Sequence, residues 1–309
     1  VLAAPLPAGY RLEAYTIDCE ISGGGFGRVY KARDAEGTTV AIKEYLPLGV
    51  VERMEGGAVR PLSDRDRGVF RYGMRCFFEE GRALANLRHP NVVRVTNFFR
   101  ANDTAYMVMH YEHGKTLQQL IQHEAGPMHE GFVMAAFIQL LNGLREVHTR
   151  KLLHLDIKPA NIYIRKDRSP VLMDFGAARQ ALVQGPPAIA PMYTPGYAAP
   201  EFYKGRDRLG PWTDIYSIGA SLVCCLSRRP PPPADQRLKE DTMVPVAQAY
   251  AGTYAQPFLE LIDTMLAVNY LERPQSVFAL QKRLVELARE SEKARPGLLS
   301  AIKQTLGLE

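Results

Sequence analysis

A change of period near residue 112 constrains this chain more than any other feature. Before it, apolar residues fall in short runs broken by turn signals; after it they recur at helical spacing. Tyr15 to Arg33 reads as strand, glycine turn, strand, and Thr38 to Tyr45 as a further strand. Val92 to Phe99 and Ala105 to His110 read as two strands joined at Ala101-Asn102-Asp103-Thr104. One helix, expected over Gly73 to Leu87, interrupts this part and stops at His89-Pro90-Asn91. Leu46 to Arg71 is expected to be an inserted hairpin (46–71) turning at Glu55-Gly56-Gly57. Beyond Gly114, Val133, Phe137, Leu140, Leu141, Leu144 and Val147 mark the apolar stripe of a core helix. Arg228-Arg229 and Pro230 to Pro233 read as a loop. The pattern predicts an α+β chain: a small β-rich part, 15–111, and a larger, mainly α-helical part, 112–285. Residues 1–14 are a Pro-rich lead-in, and 286–309 a helix, a break at Arg295-Pro296 and a second amphipathic helix.

With 309 residues, 46% of them hydrophobic, the chain can bury a sizeable core, which excludes disorder throughout. The 38 basic and 33 acidic residues are interspersed, the net charge is only +5, and there is no dense Lys/Arg run, so no nucleic-acid partner is expected. Cys19, Cys76, Cys224 and Cys225 have neither metal-ligand nor disulfide-framework spacing; the adjacent pair in an apolar stretch reads as core packing in a reducing compartment. The longest apolar run, Ile215 to Leu226, is too short and interrupted to span a bilayer. No secretion signal is visible, although the start at Val1 leaves room for a longer parent chain. A soluble cytoplasmic domain is the expectation.

The chemistry concentrates in His154-Leu155-Asp156-Ile157-Lys158-Pro159-Ala160-Asn161, followed by Asp174-Phe175-Gly176. Asp156 has a lysine two residues on and an asparagine five residues on; a second acid lies thirteen residues after Asn161. Phosphoryl transfer needs such a set: a carboxylate to orient a hydroxyl, a cation to steady the moving group, and oxygen ligands for a hard cation. At these residues the chain resembles the eukaryotic-like (Hanks-type) serine/threonine protein kinases, and the long segment between Lys43 and Glu80 resembles bacterial members. The resemblance spans residues 15–285, with motifs in the family's order. It implies a bilobal fold with ATP between the lobes and transfer of the γ-phosphoryl group to Ser/Thr hydroxyls of proteins, autophosphorylation included. Asp156 would be the base, Lys158 the phosphoryl contact, and Asn161 and Asp174 the ligands of Mg²⁺, with Mn²⁺ as an alternative.

The remaining site residues follow in chain order. Ile21-Ser22-Gly23-Gly24-Gly25-Phe26-Gly27-Arg28-Val29 lies between two strands, where glycines let backbone N–H groups approach phosphates. It departs from the family pattern in placing Ser22 at the first glycine position. Val40-Ala41-Ile42-Lys43 sets a lysine in an apolar strand. Glu80 shares a helical face with Phe77, Leu84 and Leu87, and a carboxylate on a buried face requires a partner. The resemblance makes that partner Lys43; Glu79 is the competing candidate, and the spacing to His89-Pro90-Asn91 favours Glu80. Met109 would be the gatekeeper, His110 and Tyr111 backbone contacts of adenine, and Tyr163, with Ala41 and Val29, part of the nucleotide site; His110 has no catalytic role. Thr194 would touch Asp156 and Lys158, Glu201 would pair with Arg273, and Asp214 would hold the catalytic loop through its backbone.

Two departures bear on control. Leu155 stands where many relatives carry an arginine that binds an activating phosphate, and Ala177 to Met192 contains no Ser or Thr. Only Tyr193 and Thr194 could accept a phosphate there, while Gly185-Pro186-Pro187 and Pro191 restrict the backbone. The loop is therefore expected not to be switched by phosphorylation. The alternatives are a pseudokinase or scaffold module, favoured by Ser22 and Leu155 alone, and a small-molecule kinase, disfavoured by the protein-substrate stretch Thr194 to Glu201. Leu298, Leu299, Ile302 and Leu306 could dock on a partner or on the chain's own helical part.

Overall fold

The computed structural model describes residues 4–124, 126–175, 194–204 and 208–294, with side chains described through 291. Gly176 to Tyr193 and the apolar positions after Pro296, on which sequence expectations fell, lie outside the described residues. The fold is bilobal: a β-rich lobe with one main helix and a larger, mainly helical lobe. By contact density the first unit comprises residues up to 88 with 93–112, and the second comprises 89–92, 113–175 and the chain from 193 onward.

In the first unit six antiparallel strands form one sheet in the order β1-β2-β3-β4-β8-β7. They are β1 (Arg11–Leu12), β2 (Tyr15–Gly24), β3 (Gly27–Arg33), β4 (Thr39–Tyr45), β7 (Val95–Ala101) and β8 (Thr104–His110). β5 (Val51–Arg53) and β6 (Val59–Pro61) pair as a hairpin shorter than the expected 46–71, because the chain from Asp64 onward is already helical. In the six-stranded sheet the pairs Val29↔Lys43, Lys43↔Met107 and Ala41↔Met109 set those side chains on one face. Tyr30, Ile42, Glu44, Tyr106 and Val108 alternate onto the other face.

The main helix, α1 (Asp64–Ala85), starts nine residues earlier than the expected Gly73. Ser63 caps it by accepting the Asp66 N–H at 3.2 Å, and Asp64 and Asp66 sit in the first turn, where they favour the helix dipole. The polar run 64–67 and Gly68 hide this start from a reading based on apolar period. α1 buries Val69, Phe70, Phe77, Glu80 and Leu84. A Cβ placed on Gly81 would come within 3.2 Å of the Met107 methyl, so α1 packs on the Lys43 face of the sheet.

The opposite face is covered by the lead-in, which belongs to the lobe rather than merely preceding it. Leu6 and Leu12 are buried with Ile17, Tyr30, Ile42, Tyr106 and Val108. Behind them Glu44 has no solvent exposure. It accepts Tyr30 Oη at 2.8 Å, Tyr106 Oη at 2.6 Å and Arg53 Nη2 at 2.6 Å. Arg53 also donates to the carbonyls of Ala4, at 2.7 Å, and Gly57, at 2.9 Å, tying lead-in and inserted hairpin to the sheet. Burial first, and then the Glu44 charge, raise both tyrosine pKa values and keep the hydroxyls as donors.

The second unit is built on α3 (Glu130–Thr149) and, among helices following the short α4 (Glu201–Lys204), α5 (Pro211–Ser227). Cys224 and Cys225 are buried and free in α5, as core packing requires. The short helices α6 (Ala234–Arg237) and α7 (Val246–Ala249) precede α8 (Gln256–Met265) and α9 (Val277–Ala294), which complete the core. One feature escaped the sequence reading: β9 (Gly114–Thr116), β10 (Ile162–Arg165) and β11 (Pro170–Leu172) pair as a small antiparallel sheet beside α2 (Leu117–His123). Strands of three or four residues are too short to show a period.

Candidate active site

In the second unit the catalytic loop lies between α3 and β10. Asp156 is the centre of a closed set of hydrogen bonds. Lys158 Nζ lies 3.2 Å from Asp156 Oδ1 and 2.9 Å from Thr194 Oγ1, and the threonine hydroxyl donates back to Asp156 Oδ1 at 3.1 Å. Asn161 Nδ2 donates to the Asp156 carbonyl at 2.8 Å and to Oδ2 at 2.7 Å. With its amide nitrogen so engaged, Asn161 turns its carbonyl oxygen away from Asp156. The structure thus brings together Asp156, Lys158 and Asn161, singled out by type and spacing, and Thr194, singled out by the family resemblance.

The backbone beneath them is strained and tied. Leu155 has φ +65° and Asp174 φ +53°, left-handed conformations that cost a side-chain-bearing residue roughly 1–2 kcal/mol. Asp214, fully buried in the first turn of α5, accepts the Leu155 N–H at 2.8 Å and the His154 N–H at 2.9 Å. His148, in the last turn of α3, adds a contact from Nε2 to Asp214 Oδ2 at 2.7 Å. Burial alone would raise the Asp214 pKa, but these bonds outweigh it and hold the carboxyl below its usual range. The motif reading did not find His148; its place near the end of α3, six residues before His154, was the available signal.

His154 joins the two acidic loops. Its Nε2 lies 2.9 Å from the Met173 carbonyl, and its Nδ1 lies 3.3 Å from the Asp156 N–H. A carbonyl can only accept, so Nε2 carries the proton and Nδ1 accepts: the ring is neutral. Complete burial lowers its pKa and keeps it so. Through this ring the position of Asp156 is linked to the residue immediately before Asp174.

Glu201 and Arg273 form a buried two-pronged pair, with Nη1 to Oε1 at 2.9 Å and Nη2 to Oε2 at 3.0 Å. Arg273 further donates to the carbonyls of Ala267 and Trp212, and Thr213 Oγ1 donates to Glu201 Oε1 at 3.0 Å. Every strong polar valence of the pair is met inside the lobe. Tyr163, on β10, stands opposite Thr116 and Val171.

In the first unit the glycine turn is a hairpin whose last pair is Gly24↔Gly27. Leu48 N–H donates to the Gly25 carbonyl at 2.8 Å and Leu46 N–H to the Phe26 carbonyl at 3.0 Å, fixing the turn from the chain after β4. A Cβ on Gly27 would sit 2.1 Å from the Glu44 carbonyl oxygen, so only glycine fits there. Gly23 lies under the Arg28–Glu20 ion pair, while Ile21 and Ser22 are exposed. Val29, Ala41, Lys43 and Met109 occupy one face of the sheet by register, and Lys43 Nζ is 6.0 Å from the Phe77 ring centre, one turn before Glu80. Glu80 is buried, whereas Glu79 is exposed and pairs with Arg75 at 3.3 Å. His110 is exposed at the end of β8, its N–H donating to the Arg94 carbonyl, and Tyr111 lies 5.6 Å from Lys31 Nζ.

Comparison with known proteins agrees with this geometry. The profile of the family described as "Protein kinase domain" matches residues 15–285. The chain belongs to that family, as a eukaryotic-like serine/threonine protein kinase domain. A solved structure titled "PpkA-294 apo form" is similar over 91% of this chain and 99% of its own, with 33% identity and a TM-score of 0.83. The PknI kinase domain of Mycobacterium tuberculosis, at 22% identity, 92% and 100% coverage and a TM-score of 0.69, shares the fold. The serine/threonine-protein kinase pkn3 of Myxococcus xanthus is 28% identical over 89% of this chain and 50% of its own length. The chain covers 48% of the kinase SSN3 of Coccidioides immitis, at 31% identity over 73% of itself. It therefore spans half or less of these two longer relatives. Among the described residues no helix is long and apolar enough to cross a membrane.

Proposed function

We propose that the protein containing this domain phosphorylates Ser and Thr hydroxyls of protein substrates, itself included, with Mg²⁺-ATP as donor. The observation that carries the reading is the closed triangle of Asp156, Lys158 and Thr194. Asp156 orients the acceptor hydroxyl and takes its proton as the oxygen bonds to the γ-phosphorus and the bond to ADP breaks. Lys158 balances charge on the transferring group, and Thr194 holds both side chains in register. Lys43, steadied by Glu80, contacts the ATP phosphates; the glycine turn from Ile21 to Val29 covers them; the backbone at His110 and Tyr111 takes the adenine.

The donor set fits a hard cation held largely by the nucleotide. Asn161 presents an amide oxygen and Asp174 a carboxylate, and among the described residues no three His, Cys, Asp or Glu converge as a metal site. Mg²⁺ bound by these two residues would neutralise phosphate charge, and Mn²⁺ would serve similarly.

The loop between Phe175 and Thr194 is proposed to work without an activating phosphate. Leu155 packs partly buried on the core of its lobe and offers no cation to bind one. A cytoplasmic location is proposed as well, supported by four free cysteines, of which Cys19 is exposed.

The test is phosphate transfer from labelled ATP and Mg²⁺, to the chain and to a generic acceptor protein, beside Asp156→Ala. Label on Ser or Thr that disappears in the variant supports the reading. ATP binding without transfer would replace it with a scaffold role.

A further inference from the structure

The second unit carries a cavity of about 550 Å³ beside the small sheet, lined by none of Asp156, Lys158, Asn161 and Thr194. Its walls are two-sided in chemistry. Leu120 of α2, Met128, and Phe132 of α3 supply an apolar floor with Ile164 of β10. Lys115, Arg165, Lys166 and Arg168 supply the rim, against the carboxylate of Glu124.

The local structure explains how that rim is built. Gly114 stands opposite Arg165 so closely that a Cβ would lie 2.0 Å from the Ile164 carbonyl oxygen, which draws β9 onto β10. Lys115 is then the cross-strand partner of Ile164, on the same face. The β10–β11 turn closes with Arg168 at φ +69°, and Lys166 and Arg168 are both exposed. The acid of this turn, Asp167, accepts the Ser169 N–H at 2.9 Å and its hydroxyl at 2.7 Å and feels the Arg165 charge, so four cations stand against the two carboxylates of Glu124 and Asp167. Arg165 is tethered by Nη1 to the Pro90 carbonyl at 2.8 Å. Three exposed cations thus surround one tethered arginine and an apolar floor.

We infer that this cavity docks an acidic segment of a protein substrate, with one large apolar side chain seated between α2, α3 and β10 and carboxylates on Lys115, Lys166 and Arg168. Charge complementarity selects the partner: the floor takes a Leu-sized group, and the rim rejects basic sequences. The inference rests on the protein-kinase reading for its purpose but not for its binding. The surface would hold a substrate by a segment separate from the hydroxyl being phosphorylated.

The test separates the two. A short fluorescein-labelled peptide of Asp and Glu around a single Leu is titrated without ATP into the wild-type chain and K115E/K166E/R168E. Versions with Asn and Gln for the acids, or Ser for the Leu, serve as controls. Saturable binding to wild type, weaker by about tenfold or more for the variant and for both control peptides, supports the inference. Fusing the acidic peptide to an acceptor should lower its KM for wild type only, while a plain acceptor is phosphorylated equally by both proteins. Equal binding by the variant or the neutral peptide overturns it. So does displacement of the peptide by RNA or by anionic lipid vesicles at lower concentration, which would assign the rim to a different polyanion. Because binding is read without ATP, absence of kinase activity would not imitate either result.

Discussion

The Leu155 N–H donates to Asp214 Oδ1 at 2.8 Å, and Leu155 holds a left-handed φ of +65°. A buried carboxylate in the helical core of the lobe thus retains a backbone conformation that leucine would otherwise leave. Asp156 follows directly, so its direction is set from behind by a residue with no contact to substrate.

Asp214→Asn keeps the size but loses an acceptor oxygen, leaving one of the two buried N–H groups without its acceptor. The expected outcome is a loss of about 1–3 kcal/mol in denaturant-measured stability, with a larger proportional fall in kcat than in affinity for ATP. Unchanged kcat would show that the loop holds its shape without this acid.

Acid should weaken the helical lobe in two windows. The His154 pKa is lowered from the ordinary 6.5 by burial, so the unfolded state takes up the proton first. That contribution is complete above about pH 6.5 and declines as the pH falls toward the lower folded value. Asp214, also lowered by its bonds despite burial, loses its contribution only as the pH falls below the carboxylate value of 3.8. Urea midpoints from pH 7.5 to 5 should drop in wild type and flatten in His154→Phe; parallel slopes would place the proton uptake elsewhere.

Arg53→Met removes the cation from the buried Glu44 carboxylate, and the β-rich lobe should lose about 3–5 kcal/mol. Adding Glu44→Gln should restore much of that, because the uncompensated charge is then gone. A double variant no more stable than Arg53→Met would mean that packing, rather than charge, governs the site.

Glu79 and Glu80 are neighbours with opposite environments, exposed beside Arg75 and buried on the sheet side of α1. Glu80→Ala should reduce phosphate transfer by tenfold or more, roughly 1.4 kcal/mol in barrier, while Glu79→Ala stays within twofold. The reverse order, measured at saturating ATP, would reassign the role to Glu79.

How far the sequence could be read depends on the length of each signal. The Asp156 cluster was legible because Asp156, Lys158 and Asn161 lie within six residues, and such local spacing does not depend on topology. Lys43 stood out as a charge in an apolar strand, and the Glu80 face as an acid among Phe77 and Leu84. The start of α1 was missed because its first turn is polar, Gly68 follows it, and its cap is a single Ser63 hydroxyl. The Glu44 network was hidden for another reason: Tyr30, Arg53 and Tyr106 lie 14, 9 and 62 residues from it, so only the paired strands reveal them as neighbours. Long-range polar contacts leave no period.

The family likeness begins at residue 15, yet the folded lobe begins earlier, with Leu6 under Tyr30 and the Ala4 carbonyl on Arg53. A fragment trimmed to the family boundary would uncover an apolar floor and strip one acceptor from a guanidinium wedged beside a buried carboxylate. Homology and foldability therefore draw different left-hand borders on this chain.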